Sequence, residues 1–306
     1  PADLPAPTAD AARDFCLRLI AETAGLAMAY KPNAAFFEAY GPAGWAALAE
    51  VIAAVPAGIP VILDAKRGDI ASTAEAYARS AFERLGATAI TLNPYLGRDS
   101  LEPFVLDPAR GVFLLCKTSN PGAGDVQDLR LIGGKMVYER VAALAQEWNT
   151  NNNVALVIGA THPDALARVR AAAPDLWFLA PGVGAQGGDL RAALRAGLRA
   201  DGLGMLIPVS RAVARAESPR RAAAALRDEI ETLRAALLLE RGHEQPHPST
   251  PHGAGAAVLH SGSAQSGAGG AGAVPAWLAD GLLAAGCVKF GQFTLKSGLQ
   301  SPIYLD

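Results

Sequence analysis

The sequence predicts an α/β barrel of the (β/α)8 kind, followed by a linker and a short piece of a second unit. Three observations lead there. Short, nearly continuous apolar runs recur along the chain, as parallel strands buried on both faces require. Longer helical stretches separate them, giving the βαβα alternation of a parallel sheet covered by helices. Charged and glycine-rich segments directly follow several of the runs, where a parallel barrel builds its site.

The strand candidates, in order, are Leu26–Lys31, Ile59–Lys66, Ala87–Asn93, Gly111–Lys117, Val154–Gly159, Asp175–Ala180 and Gly204–Val209. Helical stretches are expected at Ala35–Ala54, Thr73–Leu85, Gly134–Trp148, Pro163–Ala173, Gly188–Ala196 and Pro219–Glu240. Seven strands are one fewer than a (β/α)8 barrel has, so the first strand is expected before Pro1. The barrel is assigned to residues 1–239. Residues 240–274 are rich in Gly, Ala, Ser, Pro and His without helical or strand period, and read as a flexible linker. Residues 275–306 regain pattern, as a helix over Ala276–Ala285 and then β-like segments. They are too few for an independent core of this type.

Composition narrows the function. The chain of 306 residues has 27 Lys and Arg against 29 Asp and Glu, with no basic face, so nucleic acid is not an expected partner. Its three cysteines share no metal-ligand spacing, which fits a reducing cytoplasm and predicts neither a disulfide framework nor a metal site. Four of the five histidines fall in the linker at irregular spacings, a weak pattern for metal. No apolar run reaches the roughly 18 residues of a membrane span.

The chemistry-bearing residues sit at strand ends. Asp64 and Lys66 are two apart and face the same way, and Asp69 follows in the loop. A lysine held between carboxylates is expected to stay protonated. Lys31 ends the preceding run, and a lysine there calls for a partner. Thr118-Ser119-Asn120-Pro121-Gly122 offers hydroxyl and amide groups suited to a base edge, or to a plain turn. Ala180-Pro181-Gly182-Val183-Gly184-Ala185-Gln186-Gly187-Gly188-Asp189 offers backbone N–H groups and a helix N-terminus to an anion, and Ser210-Arg211 adds a guanidinium.

In their order and spacing, AYKPNAAFFEAYG, DAKRGDIASTAEAYA, LNPYLG, TSNPGA, APGVGAQGGD and PVSRAV resemble the orotidine 5′-phosphate decarboxylase family, in its bacterial DAKRGD subgroup, over about residues 1–239. The resemblance implies decarboxylation of orotidine 5′-monophosphate to uridine 5′-monophosphate, without metal or organic cofactor. It implies that Lys31, Asp64, Lys66 and Asp69 form the catalytic charged array, with Asp69 reaching a partner's site in a homodimer. Ile70 and Thr73 would accompany Asp69, and Ser119 would read the pyrimidine. Gln186 and Arg211 would hold the phosphate, with Pro181, Gly182 and Gly184 lining the loop. Residues 275–306 resemble the start of orotate phosphoribosyltransferase, through FTLKSG with Lys296, implying a bifunctional parent; no transferase activity is expected from this piece.

A sister phosphosugar enzyme on the same barrel would bind a divalent metal, and Lys31 and Ser119 point instead to a pyrimidine nucleotide. A Schiff-base aldolase needs a lysine that loses its proton, which flanking carboxylates oppose. A non-catalytic remnant would fold without turning over substrate.

Overall fold

The computed structural model describes residues 6–183, 187–244, 277–278, 289–294 and 300–304. Six parallel strands form one sheet in sequence order: β1 Ile62–Arg67, β2 Ala89–Leu92, β3 Gly111–Lys117, β4 Val154–Ile158, β5 Trp177–Leu179 and β6 Met205–Leu206. Unbroken sequence order in a parallel sheet is the winding of a (β/α)8 barrel. A separate antiparallel pair joins β7 Lys289–Thr294 to β8 Gln300–Tyr304.

The expected strand over Leu26–Lys31 is reduced to isolated parallel bridges, Tyr30 with Val61 and Asn33 with Asp64. The cause is local. Tyr30 N–H donates to Pro60 O, and the N–H groups of Ile62 and Asp64 donate to Tyr30 O and Pro32 O. The next bond in that ladder belongs to Pro32, which has no N–H.

The helices are α1 Ala9–Thr23, α2 Ala34–Glu38, α3 Gly41–Ala53, α4 Ala71–Arg79, α5 Glu102–Val105, α6 Gly124–Gln127, α7 Val137–Trp148, α8 Pro163–Ala172, α9 Leu190–Gly197, α10 Arg211–Ala214 and α11 Pro219–Glu244. The expected helix Ala35–Ala54 is two helices, broken where Gly41 takes a left-handed φ of 64° ahead of Pro42. α7 starts late because Gly133 and Gly134, both left-handed, turn the chain between Leu131 and Lys135. α11 runs four residues beyond the expected Glu240. α1 has no counterpart in the sequence expectations; Thr8 caps it through Ala11 N–H.

Strand side chains divide by parity, as a two-faced sheet demands. Leu63, Ile90, Leu92, Val112, Leu114, Leu156, Ile158 and Phe178 join the core shared with the helices. Ile62, Ala89, Phe113, Ala155, Val157, Leu179 and Leu206 form a second cluster on the opposite, inner face. Trp277 and Leu278, from far along the chain, complete that inner cluster. The indole meets Phe113 edge-on at 5.3 Å between centroids. Gly111 permits this, since a Cβ there would lie 2.8 Å from the indole. The rest of the helix expected over 276–285 lies outside the described residues, as do residues 245–274 of the expected linker.

The feet of β5 and β6 are tied by one side chain. Arg170 lies 3.7 Å over the Phe178 ring and donates to the carbonyls of Ala173, Pro174, Leu176, Gly197 and Gly204.

Candidate active site

The charged array gathers at the C-terminal end of β1. Asp64 is 8% exposed. One carboxylate oxygen, Oδ2, accepts from Lys31 Nζ at 2.7 Å, and Oδ1 accepts from Lys66 Nζ at 2.5 Å. Burial alone would raise the Asp64 carboxyl, but Lys31 and Lys66 outweigh it and hold its pKa below the ordinary carboxylate value. The parity expected of Asp64 and Lys66 is achieved by an irregular route. Leu63 pairs with Ile90 but Arg67 with Leu92, so β1 carries a bulge over residues 64–66. Lys66 sits in it with a left-handed φ of 49°.

Within one chain, a carboxylate stands between two lysines rather than Lys66 between two carboxylates. Asp69 accepts the N–H of Ile70 and makes no ion pair among the described residues. Ile70 is 54% exposed and Thr73 is exposed, so Asp69, Ile70 and Thr73 line a free surface at the start of α4.

Ser119 follows β3 in a tightly held loop. Thr118 N–H donates to Gln127 Oε1, and Gln127 Nε2 donates to Thr118 Oγ1, both at 2.9 Å. Thr118 Oγ1 donates in turn to Asn120 Oδ1 at 2.6 Å. Behind the loop, Lys117, almost wholly buried, pairs with Asp128 at 2.7 Å. Gly159, after β4, donates its N–H to Lys117 O at 2.7 Å. A Cβ on Gly159 would lie 3.0 Å from Ser119 Cβ and 3.3 Å from its Cα and N, so the glycine forms the wall behind Ser119.

The glycine-rich segment after β5 opens with Pro181, whose carbonyl accepts Ala160 N–H. Gly182 and Gly187 are left-handed, and Gly188 N–H closes the loop onto Gly182 O. Gly188 itself must be glycine, because a Cβ would meet that carbonyl oxygen at 2.7 Å. Asp189 caps α9 through Ala192 N–H. Gly184 and Gln186 lie outside the described residues, as does Lys296. Arg211, exposed, begins α10 after β6. The two segments are neighbours: Val183 and Gly188 on one side and Val209 and Val213 on the other bound a cavity of about 330 Å³.

Several contributors carried no sequence signal. Gln127 and Asp128 hold the Ser119 loop and its base, and Thr91 donates to Asp64 Oδ1 at 3.0 Å. Lys117, buried at the end of β3, needs an acidic partner, but nothing local in the sequence selects Asp128 over Asp125. Among the described residues no three His, Cys, Asp or Glu side chains cluster as metal ligands, and no helix is long and apolar enough to cross a membrane.

Residues 7–226 match the profile of the Orotidine 5′-phosphate decarboxylase / HUMPS family. The chain is 56% identical over 224 residues to orotidine 5′-phosphate decarboxylase of Roseiflexus castenholzii, covering 73% of this chain and 82% of that protein. Among solved structures it is similar to Leishmania donovani OMP decarboxylase, with TM-score 0.73 and 61% identity over 76% of this chain and 91% of the other. It is also similar to Leishmania donovani UMP synthase, with TM-score 0.74 and 56% identity, over 99% of this chain and 60% of that one.

Proposed function

The chain belongs to the Orotidine 5′-phosphate decarboxylase / HUMPS family, and from that membership we propose that it decarboxylates orotidine 5′-monophosphate to uridine 5′-monophosphate in pyrimidine biosynthesis. The observation that carries the reading is the pairing of Lys66 and Lys31 on the two oxygens of one buried carboxylate, at the end of the barrel where chemistry occurs.

In this reading the bond from C6 to the carboxylate breaks and CO2 departs, leaving the electron pair on C6. Lys66, kept protonated by Asp64, stabilises that carbanion and then gives its proton to C6. Solvent restores the proton to Lys66. Asp64, anchored by Lys31, also faces the departing carboxylate. No metal or organic cofactor takes part, so turnover is expected to survive a chelator. Ser119 reads the pyrimidine from its pinned loop. Arg211, with Gln186 and the loop of Pro181, Gly182 and Gly184, takes the phosphate, whose binding energy helps close the site.

Asp69 is assigned across the interface of a homodimer, with Ile70 and Thr73 beside it. The absence of an Asp69 ion pair among the described residues and the exposure of Ile70 favour that placement. The enzyme is assigned to the DAKRGD subgroup and to the cytoplasm. Residues 275–306 are assigned to the start of an orotate phosphoribosyltransferase in a bifunctional parent, with residues 240–274 as the linker. Similarity to a UMP synthase over nearly the whole chain favours this.

The test is Lys66→Ala, followed by pyrimidine absorbance with orotidine 5′-monophosphate and by calorimetric titration with uridine 5′-monophosphate. Turnover is expected to vanish while nucleotide binding stays measurable. Retained turnover in the variant refutes the proton-donor role.

A further inference from the structure

We infer that Thr91 is a positioning residue for the decarboxylation: its hydroxyl holds both the Asp64 carboxylate and the left-handed backbone of Lys66 in the geometry that proton delivery needs. The inference rests on the assignment of Lys66 as proton donor.

The bulge in β1 creates the need. With Leu63 opposite Ile90 and Arg67 opposite Leu92, Thr91 alone stands across from Asp64, Ala65 and Lys66. A bulge takes backbone groups out of the ladder, and buried N–H groups without partners are costly. Thr91 Oγ1 replaces the lost ladder acceptors. It accepts from Ala65 N–H at 3.0 Å and from Lys66 N–H at 2.9 Å. Its proton goes to Asp64 Oδ1 at 3.0 Å, the same oxygen that receives Lys66 Nζ.

A hydroxyl has one donor and two acceptor positions, and all three are used. Thr91 is 1% exposed, so water has little access to take its place. The arrangement fixes Lys66 at two points, through its own N–H and through the carboxylate that its ammonium contacts. A left-handed φ is unfavourable for lysine and persists only where the surroundings impose it. Valine would fill the same β-branched shape on the strand. The hydroxyl is therefore what the site uses.

Thr91→Val and Thr91→Ser, made in this 306-residue chain, separate the hydroxyl from the packing. In Thr91→Val, kcat is expected to fall about tenfold to a hundredfold, the equivalent of one hydrogen bond to a charged group. KM, and the affinity for uridine 5′-monophosphate, should stay within about threefold, because the assigned base and phosphate contacts do not run through Thr91. Thr91→Ser should restore kcat. Residue-resolved hydrogen exchange supplies a readout independent of turnover. The amides of Ala65 and Lys66 should exchange at least about tenfold faster in the valine variant, and those of Leu114 and Leu156 should be unchanged. Unchanged protection of Ala65 and Lys66 overturns the inference. So does full turnover in Thr91→Val when Lys66→Ala is inactive. If Lys66→Ala retains turnover, the proton-donor assignment is what fails, and the exchange result alone decides whether Thr91 positions this backbone.

Discussion

Gly159→Ala tests the seat of Ser119 by adding a single methyl group. Gly159 is not left-handed, so alanine fits its backbone, and the effect comes from the new contact alone. The added Cβ would lie 3.0 Å from Ser119 Cβ and 3.3 Å from its Cα and N. Carbon pairs settle near 3.5–4.0 Å, so relief requires a displacement of roughly 0.5–1 Å. The loop is poorly placed to give way. Thr118 is held at two atoms by Gln127, and Lys117 O is held by Gly159 itself. A displacement of that size stretches a hydrogen bond of about 2.9 Å past its useful length. Losing one neutral bond costs roughly 0.5–1.5 kcal/mol, which weakens binding about twofold to twelvefold. Isothermal titration with uridine 5′-monophosphate should show that loss. Ribose 5-phosphate, which has no base, should bind as before. Combining Gly159→Ala with Ser119→Ala should add little to either single change, because both act on one contact. Unchanged nucleotide affinity, or an equal loss for ribose 5-phosphate, refutes the assignment of Ser119 as the reader of the base.

Three other outcomes are expected. The depressed Asp64 pKa stabilises the fold above the unfolded value of 3.8, and that contribution is lost as pH falls through the lower folded value. Asp64→Asn should therefore be less stable by roughly 1–3 kcal/mol at neutral pH, with the gap narrowing below about pH 4 in urea titrations; a gap independent of pH contradicts the ion-pair account. Arg170→Ala should cost roughly 3–5 kcal/mol by the same method, because it strips the donors from several carbonyls at the feet of β5 and β6, at about 1–3 kcal/mol for each buried group left unpaired; a change below about 1 kcal/mol would mean that those carbonyls find other partners. Arg211→Ala should weaken nucleotide binding far more than binding of phosphate-free uridine, and an equal effect on both would remove Arg211 from the phosphate site.

Legibility in the sequence followed the cost of burying each group. β3 and β4 are plain in GVFLLCK and VALVI because both of their faces are buried. The Leu26–Lys31 run is equally apolar, yet Pro32 limits its ladder, so apolarity without backbone donors overstated it. α1 leaves a weak signal because, of its buried positions, Ala9, Ala12 and Thr23 are small or polar and Ile20 alone draws no stripe. The same division holds in the site. Lys31, Asp64 and Lys66 declare themselves because a charge at the end of a buried strand demands a reason. Thr91 and Gln127 are neutral and common in strands and turns. Their importance exists only once a bulge frees two N–H groups and a loop folds back on itself. Trp277 lies still further from local inference, since its partner Phe113 is more than 150 residues away. Charge thus marks where this site is, while uncharged groups hold it in shape. The variants that best separate chemistry from architecture are accordingly the quiet ones: Thr91→Val, which keeps every charge, and Gly159→Ala, which adds only a methyl group.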